Sequence, residues 1–109
     1  MTTAHKHGVK NALGTDAGMP GVDHAGSARE MEYMCQAGLS PMESIVAATR
    51  NAADCCCMLE QTGTLETGKL ADLIVVRGDP LADIRSLQDH DSVLLVAREG
   101  TVFRNTLVA

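Results

Sequence analysis

Aromatic residues are nearly missing from this sequence: Tyr33 and Phe103 stand alone, and there is no tryptophan. Any core must therefore be assembled from Leu, Val, Ile, Met and Ala, which bury less area per residue than rings do. Basic residues are also few, nine Lys and Arg against fourteen Asp and Glu, and they are scattered along the chain. With a net charge of -5, no concentrated basic face exists to release counterions from phosphates, which argues against nucleic acid as a partner. No apolar run approaches the roughly 18 residues that span a bilayer. The polar stretch at residues 1–7 lacks the apolar segment of a signal peptide. A soluble, cytoplasmic protein without a membrane partner is the expectation. Cysteine occurs four times, but Cys55, Cys56 and Cys57 are adjacent, unlike a disulfide framework or the paired cysteines of zinc modules. They read as reduced thiols.

What is present, 109 residues of which 45% are hydrophobic, suffices for one ordinary domain with a modest core. Residues 9–13 are apolar enough for a short strand and run into Gly14-Thr15-Asp16-Ala17-Gly18, a glycine-rich loop. Ser27-Ala28-Arg29-Glu30 has the spacing of a capping box and predicts a helix over 28–37, with Gly38 placed to end it. Ser40-Pro41-Met42-Glu43 repeats the signal with proline at the first helical position. Asn51 is a candidate cap for a third helix over 52–59. Beyond Gly63 the texture changes to short β-type runs at 64–65, 73–76, 93–97 and 101–103, the last two forming a hairpin around Glu99-Gly100.

The order of these signals resembles the C-terminal quarter of the amidohydrolase superfamily, in the branch of imidazolonepropionase-related and Xaa-Pro dipeptidase-like enzymes. The matching stretches are His7-Gly8-Val9-Lys10 leading into Gly14–Gly18, then Ala37–Glu43, Ala48–Ala53, Gly63–Leu73 and Asp79-Pro80-Leu81. The resemblance implies an α/β chain. Residues 1–61 would be the end of a (β/α)8 barrel, with 9–13 as its eighth strand, and residues 62–109 would be C-terminal strands of a small composite β-sandwich. Such barrels need roughly 250 residues, so the first seven strands would lie elsewhere.

By the same resemblance Asp16 is the site aspartate: a ligand to a divalent metal, zinc in the first instance, and the general base toward the attacking water. The reaction would be hydrolysis of a C–N bond in a small amide, cyclic amide or Xaa-Pro dipeptide. On the residues alone, an aspartate in a glycine-rich turn can equally bond its own backbone. His24, eight residues on, is a candidate substrate contact, and a solvated loop histidine is its alternative. His5 and His7 have the spacing of the family's first-strand metal pair, but they precede the Asp16 loop too closely to be that pair. Asp72, in Gly68-Lys69-Leu70-Ala71-Asp72, is expected to tie down backbone and carry no chemistry.

Two other readings compete. The helix, glycine turn and helix at 28–49 imitate a helix-turn-helix, yet the second helix carries Glu43 and no basic residue before Arg50, so it would repel phosphates. A catalytically inactive fragment, or a small oligomeric interaction domain, is the stronger rival. A buried strand without neighbours exposes two edges, so residues 9–61 are expected to be less ordered or more oligomeric than 63–109. The contact would be residues 9–13 or the face of Met31, Met34 and Ile45, giving a homo-oligomer.

Overall fold

The computed structural model describes residues 2–107. Helices fill the first half, α1 (Thr2–Lys6), α2 (Arg29–Gln36), α3 (Pro41–Ala48) and α4 (Arg50–Cys55), and three strands the second, β1 (Leu73–Val76), β2 (Val93–Arg98) and β3 (Thr101–Asn105). Short 3-10 turns lie at His24–Gly26, Ile84–Gln88 and His90–Ser92.

The two serine signals end differently. At α3 the capping box forms: Ser40 Oγ accepts from the Glu43 N–H at 3.2 Å, and Glu43 Oε2 accepts from the Ser40 N–H at 2.8 Å. Those bonds hold the Glu43 carboxyl below the usual range, the Ser40 backbone N–H contributing most. Ser27 caps nothing. The 3-10 turn His24–Gly26 leads directly into α2, so Ser27 is already in the helical region and donates its hydroxyl to the His24 carbonyl at 2.9 Å. The first donors of α2 instead reach backbone carbonyls, Glu30 N to Ser27 O and Met31 N to Ala28 O. Ser40→Ala should therefore destabilise the chain by about 1 kcal/mol, whereas Ser27→Ala should be close to neutral; urea melts of the two variants distinguish them.

α2 ends as its glycine predicts. Gly38 has φ +112°, its N–H bonds to Cys35 O, and the Leu39 N–H reaches back to Met34 O, the paired bonds of a Schellman motif. The accompanying apolar contact is also present, because Met34 and Leu39 form the core cluster with Ala47, and Leu13 packs against it. Met34 is thus buried rather than part of an exposed contact face. The third helix departs from expectation. It starts at Arg50 and stops at Cys55, with Asn51 inside it and Cys57 in the left-handed conformation at φ +57° beyond its end.

Residues 9–13 form no strand. The segment is extended, but a β-ladder needs a partner strand and none lies beside it among the described residues; its bonds go to helices instead. Residues 64–65 likewise form no strand: Thr64 lies in a bend, and its hydroxyl turns to Glu66. The other three runs do pair, as an antiparallel sheet in the order β1-β2-β3. Glu99 and Gly100, at φ +50° and +79° with Arg98 opposite Thr101, form the two-residue hairpin whose twist suits the strands. The sheet fully buries none of its side chains, and Ile74, Val102 and Phe103 stand exposed. In this half the buried hydrophobic residue is Ile84, in the turn packed against α2.

Candidate functional site

The extended segment is held onto α3 and α4 by three bonds. Leu13 N donates to Ala47 O of α3 at 3.0 Å, Asn51 Nδ2 of α4 donates to Asn11 O at 2.8 Å, and Lys10 Nζ lies 2.6 Å from Asp54 Oδ2. Lys10 also keeps the Asp54 carboxyl below the usual range. Asn51, expected as a helix cap, is therefore a brace for the segment that delivers Asp16. A groove of about 400 Å3 runs beside this segment, lined by Val9, Asn11, Met42 and Val46 among others.

The segment ends in a tight loop. Asp16 has φ +51°, a left-handed conformation that aspartate tolerates better than most residues. Its carbonyl accepts from the Met19 N–H at 3.2 Å, Gly18 N donates to Val22 O at 3.1 Å and Val22 N to Met19 O at 2.9 Å. The Asp16 carboxylate itself makes no hydrogen bond among the described residues. The local side-chain turn belongs to Thr15, whose Oγ1 accepts from Ala17 N at 3.2 Å. The bond of an aspartate to its own backbone is thus not formed, and Asp16 is exposed.

His24 belongs to the same loop. A Cβ built on Gly18 would lie 3.2 Å from His24 Nε2 and 3.5 Å from Cε1, so the imidazole sits directly over that glycine, two residues from Asp16. Asp23 starts the 3-10 turn that carries the ring, its Oδ1 accepting from Ala25 N at 3.0 Å. Sequence spacing places the two residues on one loop but does not contain the ring's seat on Gly18. The sign of it is the glycine two positions after the aspartate, where φ +99° favours a residue without a side chain and leaves the ring a close seat.

His5 is elsewhere, 3.6 Å from Glu43 at the start of α3. Among the described residues no group of three His, Cys, Asp or Glu side chains is placed to hold a metal ion. Asp16 has the hard oxygen donors and the open approach of a single ligand, and nothing beside it completes a set. The cysteines are free, with Cys55, Cys56 and Cys57 exposed. No helix among the described residues is long and apolar enough to cross a membrane.

The glycine-lysine-aspartate stretch is structural. Asp72 accepts from the Glu99 N–H at 2.8 Å and from the Thr62 hydroxyl at 2.8 Å, tying the loop after α4 to the β2–β3 hairpin. These donors, the Glu99 N–H foremost, hold its carboxyl below the usual range. Lys69 Nζ binds the Leu59 carbonyl and Thr64 Oγ1 and lies 3.0 Å from Glu66.

Residues 1–103 match the sequence pattern of the amidohydrolase family, and the chain belongs to that family. Among its relatives, ochratoxinase of Aspergillus niger is 36% identical over 103 residues, 93% of this chain and 21% of that enzyme. Imidazolonepropionase of Pseudomonas fluorescens is 35% identical over 102 residues, 92% of this chain and 25% of that enzyme. A crystal structure of a Xaa-Pro dipeptidase with methionine bound in its active site is similar at TM-score 0.85 and 37% identity, covering 95% of this chain and 24% of that one. The A. niger ochratoxinase crystal structure gives TM-score 0.85 at 34% identity, over 95% of this chain and 24% of that one. The chain spans about a quarter of the length of the relatives it matches.

Proposed function

We propose that this chain is the C-terminal part of a metal-dependent hydrolase that cleaves the C–N bond of a small amide, cyclic amide or Xaa-Pro dipeptide. The observation that carries the reading is the likeness to the Xaa-Pro dipeptidase over 95% of this chain and 24% of that one. In this reading residues 1–61 end a (β/α)8 barrel, with the extended segment 9–13 as an eighth strand completed by neighbours, and residues 62–109 supply strands of a small β-domain. The backbone groups of 9–13 that find no ladder, and the groove beside Val9 and Met42, are where those neighbours belong.

Asp16 would supply one carboxylate to a divalent metal, zinc in the first instance, and the remaining ligands would come from the rest of the enzyme. The ion, when bound, lowers the pKa of a water molecule and polarises the scissile carbonyl. The work of this chain is then at the Asp16 carboxylate, which takes the proton of the attacking water and returns it to the leaving nitrogen. Its oxygens are free for both tasks because the Thr15 hydroxyl, not Asp16, satisfies the loop backbone. His24, seated on Gly18, contacts the substrate on the same side. The free cysteines suit a cytoplasmic setting.

A second reading has one observation in its favour. The described residues hold no three-ligand cluster, so the 109-residue chain alone should be inactive, an oligomeric interaction domain at most. Zinc-supplemented assays of the pure chain with Xaa-Pro dipeptides should show no hydrolysis above buffer. Turnover that needs zinc and is lost on chelation would overturn the requirement for outside ligands.

A further inference from the structure

His90 lies 65 residues beyond Ala25 in the chain, yet its Nε2 is 3.2 Å from the Ala25 carbonyl oxygen. A carbonyl only accepts, so the ring nitrogen there carries the proton and donates. Ala25 is the middle residue of the 3-10 turn His24–Gly26, directly after the histidine that sits on Gly18. The other hydrogen bonds of this turn are local: Asp23 Oδ1 accepts from Ala25 N, Asp23 O from Gly26 N, and His24 O from the Ser27 hydroxyl. Among the described residues, His90 therefore makes the hydrogen bond that joins the turn to the second half of the chain. The side it comes from is firm. His90 opens a 3-10 turn of its own, which Asp89 closes by accepting from Asp91 N at 3.0 Å and from the Ser92 hydroxyl at 2.8 Å, and which runs straight into β2. Just before it, Ile84 is buried in the turn packed against α2, and Gln88 Nε2 donates to Glu32 Oε2 at 2.7 Å. An open cleft of about 270 Å3, with Asp23, Arg29 and Gln88 on its walls, separates the two turns, and the His90 bond spans it.

We infer that His90 is a positioning residue for His24, through which the C-terminal half of the chain sets the geometry of the candidate site. The peptide group between His24 and Ala25 is fixed by Asp23 and Ser27, and the next one, between Ala25 and Gly26, by His90 and the Asp23 carbonyl. With both groups held, the backbone that carries the His24 ring has one direction in which to present it. Without His90 the second peptide group is free to turn toward water, and the ring loses part of the fixed placement that a binding contact needs. The bond is neutral in character and open to the cleft, so its expected contribution is modest. The inference rests on the reading of His24 as a substrate contact in a hydrolase, and the test is arranged so that the two can fail separately.

The test uses the complete enzyme and the small amide or Xaa-Pro dipeptide that it cleaves. His90→Phe keeps a ring and removes the donor; it should raise KM by about 2- to 10-fold while kcat stays within about 2-fold. His90→Gln, whose side-chain amide offers a donor at similar reach, should restore KM to within about 2-fold of the wild type. His24→Ala should raise KM by itself, and adding His90→Phe to it should change nothing further, because the second residue acts through the first. A general loosening of the fold would instead carry through into the His24→Ala background. Should His90→Phe fail to fold, His90→Ala takes its place in the same cycle with the same expectation. An unchanged KM in the His90 variant while His24→Ala raises it, or a rise that persists in full in the His24→Ala background, would overturn the inference and leave the His24 contact standing. An unchanged KM in His24→Ala would remove His24 as a substrate contact and this inference with it, and failure of the complete enzyme to cleave any amide would overturn the hydrolase reading beneath both.

Discussion

Replacing Asp16 by asparagine in the complete enzyme should lower kcat by about 10^2- to 10^4-fold, the range of positioned acid–base groups, while leaving the fold intact. Asparagine is the informative replacement for three reasons. It is isosteric, so the loop is not repacked. It is at ease at the φ of +51° that Asp16 adopts, so the backbone is not strained as it would be by alanine or a branched residue. The bonds that shape the loop run through the Asp16 carbonyl and the Thr15 hydroxyl, neither of which changes. What is lost is the anionic oxygen that takes a proton. Steady-state kinetics with a parallel metal analysis checks the expectation. Retained metal with lost turnover assigns Asp16 to proton transfer, and lost metal with lost turnover assigns it to ligation. Near-native turnover would remove Asp16 from the mechanism.

The sequence made local devices legible where their chemistry closes within a few residues. Ser40-Pro41-Met42-Glu43, Gly38 and Glu99-Gly100 each predict a geometry that the structure contains, because the groups that satisfy one another are neighbours along the chain. Ser27-Ala28-Arg29-Glu30 carries the same letters at the same spacing and fails, since the turn at His24–Gly26 delivers the chain to α2 already helical. The pattern of a capping box does not contain the conformation of the residues before it. Asn51 shows the same limit over a longer range. Its side chain reaches Asn11, forty residues away, and no local signal marks that destination.

The candidate site divides in the same manner. Asp16 and the loop that bears it stand out in the sequence, and the resemblance attached a role to the aspartate. That His24 rests on Gly18 depends on how the loop folds back, which three backbone bonds decide. The apparent strand at 9–13 is the converse case. Its letters satisfy a strand pattern, yet a strand is a property of a pair, and among the described residues its neighbours on either side are helices and loops. Sequence pattern reports what a segment can do when partnered; it cannot report whether the partner is on the same 109 residues.

Gly63→Ala should destabilise this chain by roughly 3 kcal/mol, adding about 1–2 kcal/mol for a side chain in the left-handed region to about 1–3 kcal/mol for overpacking. Gly63 has φ +93°, and a Cβ there would fall 2.5 Å from the Ala53 Cβ, 3.2 Å from the Thr49 carbonyl and 3.4 Å from the Arg50 Cα. None of these neighbours can step aside easily. Ala53 is buried in α4, and the Thr49 carbonyl accepts its N–H at 2.9 Å. Relief would require the loop after α4 to move as a unit. That loop is pinned by Lys69 on the Leu59 carbonyl and by Asp72 on Thr62, so the strain would spread into the link between the helices and the sheet. Gly68 is the internal control. Its φ of +91° is nearly the same and nothing lies within 4 Å of its would-be Cβ, so Gly68→Ala should cost only the conformational part. Chemical denaturation of the three proteins separates the contributions. Ala53→Gly in the Gly63→Ala background should recover part of the loss, because it removes the methyl that the new one meets. Equal midpoints for Gly63→Ala and Gly68→Ala would mean that the loop does not press against α4, and that the chain from residue 59 to residue 72 is not the rigid link between helices and sheet described above.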